Sequence, residues 1–453
     1  MSSIKTYLSE NACRFEEELC QFLRIPSVSA DSSLRESVIE SAKWVEWQLA
    51  EIGFNVRFIQ TNRHPLVYAE GPQVQGRPTL LYYGHFDVQP ADPLDKWITP
   101  PFEPSIREGR VYARGSADDK GQLLTHLKAM EAWTKVRGEL PVNVKFIFEG
   151  EEEVGSESLE RFIAENAELL ACDCVVVSDT CQFGPDRPAI TYGLRGIAYF
   201  EMKLTGAARD LHSGSFGGCV MNPANALVEM LSHLVDRDGR IQVPGFYDDV
   251  VPLAQREREQ FAALPFDESA FAAELGVIEL HGEAGYTTLE RRWARPSYDL
   301  CGLTSGYSGE GAKTVLPATA SAKISFRLVP NQDPKEIGRK VQAFMEGLLP
   351  RGIRMEWSEL HGAGGLLVSL DSPFVRAAAR AIEKAFGVAP IYNREGGSIP
   401  IMTTFAETLQ ADVLLLGWAQ DDDNTHSPNE RFLLKDFHRG IEASVGLLDE
   451  LQK

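Results

Sequence analysis

The rhythm of apolar and polar positions changes twice along the chain. Over residues 5–53 apolar side chains recur at helical spacing, with a break at Ile25-Pro26-Ser27 and a stop at Gly53 after "ESVIESAKWVEWQLAEIGF". Strand-like and helix-like segments then alternate. "NVRFIQ", "PTLLYYGHFDV", "VNVKFIF" and "CDCVVVSD" read as strands. "GQLLTHLKAMEAWTKV" and Ser158–Leu170 read as helices between them. Such alternation predicts a layered α/β sheet.

From about Gly193 the pattern shifts. "GIAYFEMKLT" alternates strictly, Pro223–Val235 is helical, and an irregular stretch over Asp236–Arg295 follows. Then come "SYDLCGL", "ASAKISFRLV", a helix over Pro334–Leu349 and "RMEWSEL". Leaving out the irregular stretch, the order is β-α-β-β-α-β, a ferredoxin-like plan. Helix "SPFVRAAARAIEKAFG" and strand "ADVLLLGWA" return to the first style. The expected organisation is an α/β catalytic domain from 1–193 plus 370–453, with an inserted ferredoxin-like α+β domain over 194–369.

Composition narrows the partners. The chain has 453 residues, 43% hydrophobic and 24% charged, enough for more than one large core. A net charge of −20 disfavours nucleic acid and anionic membrane surfaces. The seven cysteines are few and odd in number, which argues against a disulfide framework. The N-terminal residues lack a secretory apolar stretch and no apolar run reaches bilayer length, so a cytoplasmic location is expected.

The chemistry gathers where strands end. Open α/β sheets place their sites beyond the carboxyl ends of strands. "LLYYGHFDVQP" ends in His85-Phe86-Asp87, whose first and third side chains share a face. "ARGSADDKGQ" places Asp118 and Asp119 before a helix, and "FIFEGEEEVGS" delivers Glu149 and Glu151–Glu153. "VVVSDT" delivers Asp179, and "LLLGWAQDDDNTHSPNE" delivers His426. Singly, each has a plain structural use as a cap, a polar turn or a solvated loop. Together, two imidazoles and three carboxylates, one of them bridging, suit two borderline divalent cations such as zinc or manganese. A paired metal site activates a water and polarises a carbonyl. A further carboxylate must move the proton, and Glu152 beside Glu153 is suited to that.

"GHFDVQP", "ARGSADDKGQ", "EGEEEVGS", "VVSDT", "DLHSG", "GAKTVLP", "RLVPN", "REGGSIP" and "NTHSPNE" stand in one order from about residue 10 to the C-terminus. In this the chain resembles the co-catalytic dinuclear metallopeptidases that include carnosine dipeptidase and cytosolic nonspecific dipeptidase. Carboxypeptidase G, aminoacylase and acetylornithine deacetylase belong to the wider group. The resemblance implies His85, Asp118, Glu153, Asp179 and His426 as ligands of two Zn²⁺ or Mn²⁺ ions, with Asp118 bridging. It implies Glu152 as general base, Asp87 as the carboxylate supporting the site, and a cis peptide at Asp118–Asp119. Three successive glutamates leave a register choice. Alignment on Val154-Gly155-Ser156 selects Glu152 and Glu153, and Glu151 has no assigned role.

In the inserted domain, the resemblance implies that His212 polarises the scissile carbonyl from the partner protomer of a homodimer. Thr314, Arg327, Ser398 and His426 match substrate contacts, with Arg327 a fork for the substrate carboxylate. The expected activity is hydrolysis of dipeptides or short peptides. An N-acyl amino acid deacylase or a carboxypeptidase of the same family is the alternative, and a catalytically silent metal-binding assembly protein is a second. Retention of Glu152, Asp87 and His212 weighs against the silent protein. "GYSGEGAKT" falls short of a phosphate loop, because Ala312 separates Gly311 from Lys313 and Pro317 blocks a following helix.

Overall fold

The computed structural model describes residues 2–452. The chain divides into two compact units, one of residues 1–192, 368–393 and 401–453, the other of residues 193–367 and 394–400. Residues 394–400 thus group with the second unit, whereas the apolar rhythm had put all of 370–453 with the first.

In the first unit, helix α1 (Ser2–Leu23) ends just before Pro26, and α2 (Arg35–Ile52) ends at Gly53, whose φ of 106° supplies the left-handed cap. The sheet runs in the order 55–59, 66–70, 143–149, 79–85, 174–181, 412–419, 189–194. Its four central strands, β1 (Thr79–His85), β2 (Asn143–Glu149), β3 (Cys174–Cys181) and β4 (Asp412–Ala419), are parallel. Their sequences are near-continuous apolar runs because both faces are covered, and Leu80, Val144, Val176 and Leu414 are all within 1% of complete burial. The chain passes from β1 to β2 on one side and then crosses to β3 on the other, so β1 lies at a topological switch point. Register sets His85 level with Glu149, and both close their strands.

Helix α3 (Lys120–Arg137) follows the loop after residue 112, and α4 (Leu434–Leu451) closes the chain. The apolar pattern predicts one helix over Ser158–Leu170. The chain instead breaks at Asn166, giving helices Glu157–Glu165 and Ala167–Leu170.

The second unit carries a four-stranded antiparallel sheet in the order 297–305, 319–328, 196–205, 354–363. Counted along the chain this is 2-3-1-4, the ferredoxin-like arrangement read from the other edge. Its two main helices, Pro223–Ser232 and Pro334–Leu348, start on Asn222 and Asp333, each with a capping side chain and proline in the first turn. Phe200, Phe326, Leu227, Val341 and Met345 make up much of the core beneath them. The stretch over Asp236–Arg295, expected to be irregular, holds three short helices: Gln255–Ala262, Glu268–Leu275 and Thr288–Ala294. The last has a full capping box between Thr287 and Glu290, a signal present in "TTLE".

Candidate metal centre

The site lies in the first unit and is built from the carboxyl ends of the parallel strands. His85 is the last residue of β1 and fully buried. Its Nδ1 is 3.2 Å from the Asp87 carbonyl and 3.4 Å from Asp87 Oδ1. Asp87 is also fully buried, and its two oxygens accept the amides of Glu152 at 3.3 Å and Glu153 at 3.2 Å. Its carboxylate therefore orients the imidazole and holds the turn that carries the glutamates. Asp118 precedes α3, and the Asp118–Asp119 peptide is cis. Glu152 and Glu153 sit in a single 3₁₀ turn, Glu152–Val154, closed by Gly155 at φ 98°. Asp179 stands near the end of β3, and His426 stands in the loop after β4 with φ 58°.

These side chains form two groups. His85, Asp118 and Asp179 offer ligand atoms within 4.8 Å of one another, as do Asp118, Glu153 and His426. Asp118 is common to both. His85 Nε2 is 3.1 Å from Asp118 Oδ1 and 3.9 Å from Asp179 Oδ1. His426 Nε2 is 2.8 Å from Asp118 Oδ2 and 3.4 Å from Glu153 Oε2. Gln89 Nε2 donates to Glu153 Oε2 at 2.7 Å, a contact that "GHFDVQP" did not disclose.

The donor set fits divalent cations. His85 Nε2 and Glu153 Oε1 are buried without a hydrogen-bond partner although acidic groups crowd around them, as ligand atoms would be. The electrostatics point the same way. Burial pushes the Glu152 carboxyl well up; His85 opposes the shift, and the charges of Asp179, Glu153 and Asp118 add to it. Burial and the Asp118 charge raise Glu153 to about 7. Burial opposes protonation of His85, but Asp118, Asp179 and Asp87 outweigh it and hold its pKa well above the ordinary value. Asp118 and Glu153 raise His426 to about 10. Each of these four shifts favours taking up a proton, so the cluster calls for positive charge, the demand that bound cations satisfy.

Glu151 faces away from this chemistry. It is buried, and its Oε1 accepts the His64 amide at 2.8 Å and the Ser158 hydroxyl at 2.7 Å. Its Oε2 accepts the Ser158 amide at 3.1 Å. The carboxylate thereby ties the loop at 61–64 to the start of helix Glu157–Glu165.

The remaining candidates lie in the second unit and form two groupings there. His212 pairs with Val315 in a two-residue ladder, and the Ser213 amide donates to the Thr314 carbonyl at 3.2 Å. His212 Nδ1 accepts the amides of Gly214 at 3.1 Å and Ser215 at 3.2 Å. A nitrogen that accepts two amides carries no proton, so the neutral ring holds its proton on Nε2 and can donate there. Arg327 Nη1 donates to Ser398 Oγ at 3.1 Å. Arg195, absent from the sequence expectation, donates from Nε to the Gly396 carbonyl at 3.1 Å and shapes the turn before Ser398.

Residues 81–450 match the family model described as Peptidase family M20/M25/M40. The chain belongs to this family. Among its relatives is the Cys-Gly metallodipeptidase dug1 of Schizosaccharomyces pombe, 35% identical over 470 residues, covering 100% of this chain and 98% of that protein. Human carnosine dipeptidase 1 superposes with a TM-score of 0.87 at 31% identity, covering 100% of this chain and 98% of that one. A metallo-carboxypeptidase of the M20 family from Sulfolobus solfataricus superposes with a TM-score of 0.87 at 33% identity, covering 97% and 99%. Family membership and the mixed α/β fold thus agree with the motif resemblance.

Proposed function

We propose that this member of the family is a metal-dependent dipeptidase holding two divalent ions, Zn²⁺ or Mn²⁺. The observation that carries the proposal is the pair of ligand groups sharing Asp118, with Glu152 in the turn that supplies Glu153. His85, Asp118, Glu153, Asp179 and His426 hold the ions. Such a pair, when bound, lowers the pKa of a water and polarises a carbonyl. Glu152 takes the proton of the attacking water and returns it to the leaving amine. Asp87 keeps His85 and the Glu152–Glu153 amides in register for this work. Arg327, with Ser398, receives the substrate carboxylate, and Thr314 and His426 complete the substrate contacts. His212 donates from Nε2 to the scissile carbonyl and is supplied by the second copy in a homodimer.

The relatives named for dipeptide substrates support this reading, and the likeness to a carboxypeptidase supports a second, removal of C-terminal residues from longer peptides. A peptide panel separates them: free dipeptides, N-acetylated amino acids, tripeptides and C-terminally amidated dipeptides, each on metal-stripped protein with zinc or manganese restored. Faster turnover of N-acyl amino acids or of longer peptides than of any dipeptide would overturn the dipeptidase assignment. A cytoplasmic setting is proposed as well: all seven cysteines are free thiols, as a reducing compartment keeps them, and no described helix is long and apolar enough to cross a membrane.

A further inference from the structure

Glu430 ends the motif that contains His426, and it is completely buried. Its carboxylate accepts four hydrogen bonds from one short stretch of chain. Oε1 takes the amides of Ala117 at 2.9 Å and Asp118 at 3.1 Å. Oε2 takes the amide of Gly115 at 2.8 Å and Arg114 Nη1 at 2.7 Å. The Glu430 carbonyl also accepts the Ala113 amide at 3.1 Å. Arg114, 1% exposed, spends its other terminal nitrogen on the Pro90 carbonyl at 3.1 Å. Gly115 permits the turn: its φ is 86°, and a Cβ there would lie 2.6 Å from Val88 Cγ1.

A buried ion pair does little to stabilise a fold compared with well-packed apolar groups. Fixing one backbone conformation is a better-matched task for a carboxylate that accepts three amides and a guanidinium. The conformation it fixes presents Asp118, the residue common to both ligand groups, and Glu430 lies four residues beyond His426, a member of the second. One side chain thus ties together the two ligand loops, Glu430 lying 312 residues from Asp118.

We propose that Glu430, with Arg114, is a positioning residue for both metal ions. It holds the Asp118 segment against the His426 segment before any ion arrives, so that binding needs no ordering of the loop. The inference rests on the metal-centre reading above and adds to it a residue that touches neither metal nor substrate. Residues that orient ligands in this way typically change metal affinity by roughly 10–100-fold when replaced.

The test compares metal-free wild type, Glu430→Gln and Glu131→Gln, each titrated calorimetrically with Zn²⁺ and with Mn²⁺. Glu131 is a matched control: a nearly buried carboxylate in the first unit, paired with Arg14, Lys128 and Tyr7, about 16 Å along α3 from its first residue. Both variants should lose thermal stability. Only Glu430→Gln should weaken metal binding, by about 10–100-fold for both ions, because Asp118 belongs to both groups. Unchanged affinity in Glu430→Gln, or an equal loss in Glu131→Gln, would overturn the positioning role while leaving the metal centre standing. Wild-type protein that takes up neither ion would overturn the metal centre itself and this role with it. Should Glu430→Gln fail to fold, hydrogen exchange on metal-free wild type decides. Amides of the 113–119 segment should already be protected, and rapid exchange there would refute a clamp made before metal binds.

Discussion

Replacing Glu151 and Glu152 by glutamine, one at a time, separates architecture from chemistry at adjacent positions. The Glu151 carboxylate accepts from the His64 amide, the Ser158 amide and the Ser158 hydroxyl at 2.7–3.1 Å. Glutamine keeps the shape but turns one oxygen into a donor. If that atom faces the Ser158 amide, one bond is lost with its donor unsatisfied, and two others fall from charge-assisted to neutral strength. With about 1.5–3 kcal/mol for hydrogen bonds to charged groups and about 1 kcal/mol for neutral ones, the expected cost is roughly 2.5–7 kcal/mol. On the scale for domains of about 150–250 residues this lowers the unfolding midpoint by roughly 5–28 °C. Turnover per folded, metal-loaded molecule should stay near wild type. Glu152→Gln should do the reverse. It removes a carboxyl that burial and its neighbours hold in a costly state, so the midpoint stays or rises, while kcat falls by about 10²–10⁴. The assay pairs scanning calorimetry with dipeptide turnover at matched metal content. A Glu151→Gln protein with normal stability and a kcat down by two orders of magnitude would transfer the base to Glu151 and refute the assignment.

Three further outcomes are expected. Chelation should abolish activity and Zn²⁺ or Mn²⁺ should restore it, with elemental analysis giving two ions per active chain; active protein free of divalent metal would contradict this. Arg327→Lys should raise KM for free dipeptides by about tenfold or more through loss of the planar fork, with little effect on amidated dipeptides; equal effects on both would remove Arg327 from the carboxylate. His212→Ala and Glu152→Ala, each nearly inactive, should regain about a quarter of wild-type activity when unfolded together and reassembled at random, since about half the dimers are hybrids and each restores one site of two. A mixture that stays inactive after hybrids have formed would show that His212 serves its own chain.

Much of this molecule is determined by local sequence. A parallel strand buried on both faces must be an apolar run, so "LLYYGH", "VKFIF", "CVVV" and "VLLLGWA" disclose the sheet, and the polar residues that end them disclose its functional edge. The two strands' worth of ligands in "GHFD" and "VVSD" follow from the same logic. What local sequence leaves open are choices among residues of equal chemistry. The three glutamates of "GEEEVGS" have equal chemistry; the His64 amide, distant in sequence, joins the Ser158 amide and hydroxyl in turning Glu151 away from the ligand groups. The short helices within 236–295 escape the apolar pattern for a related reason, since at eight residues or fewer they depend on caps and packing rather than on their own periodicity. Glu430 lay in plain view in "NTHSPNE", but its work is with Arg114, 316 residues away. Periodicity specifies what a segment can bury. Which carboxylate meets which amide is decided only when the tertiary structure brings distant donors within reach and withholds water from both.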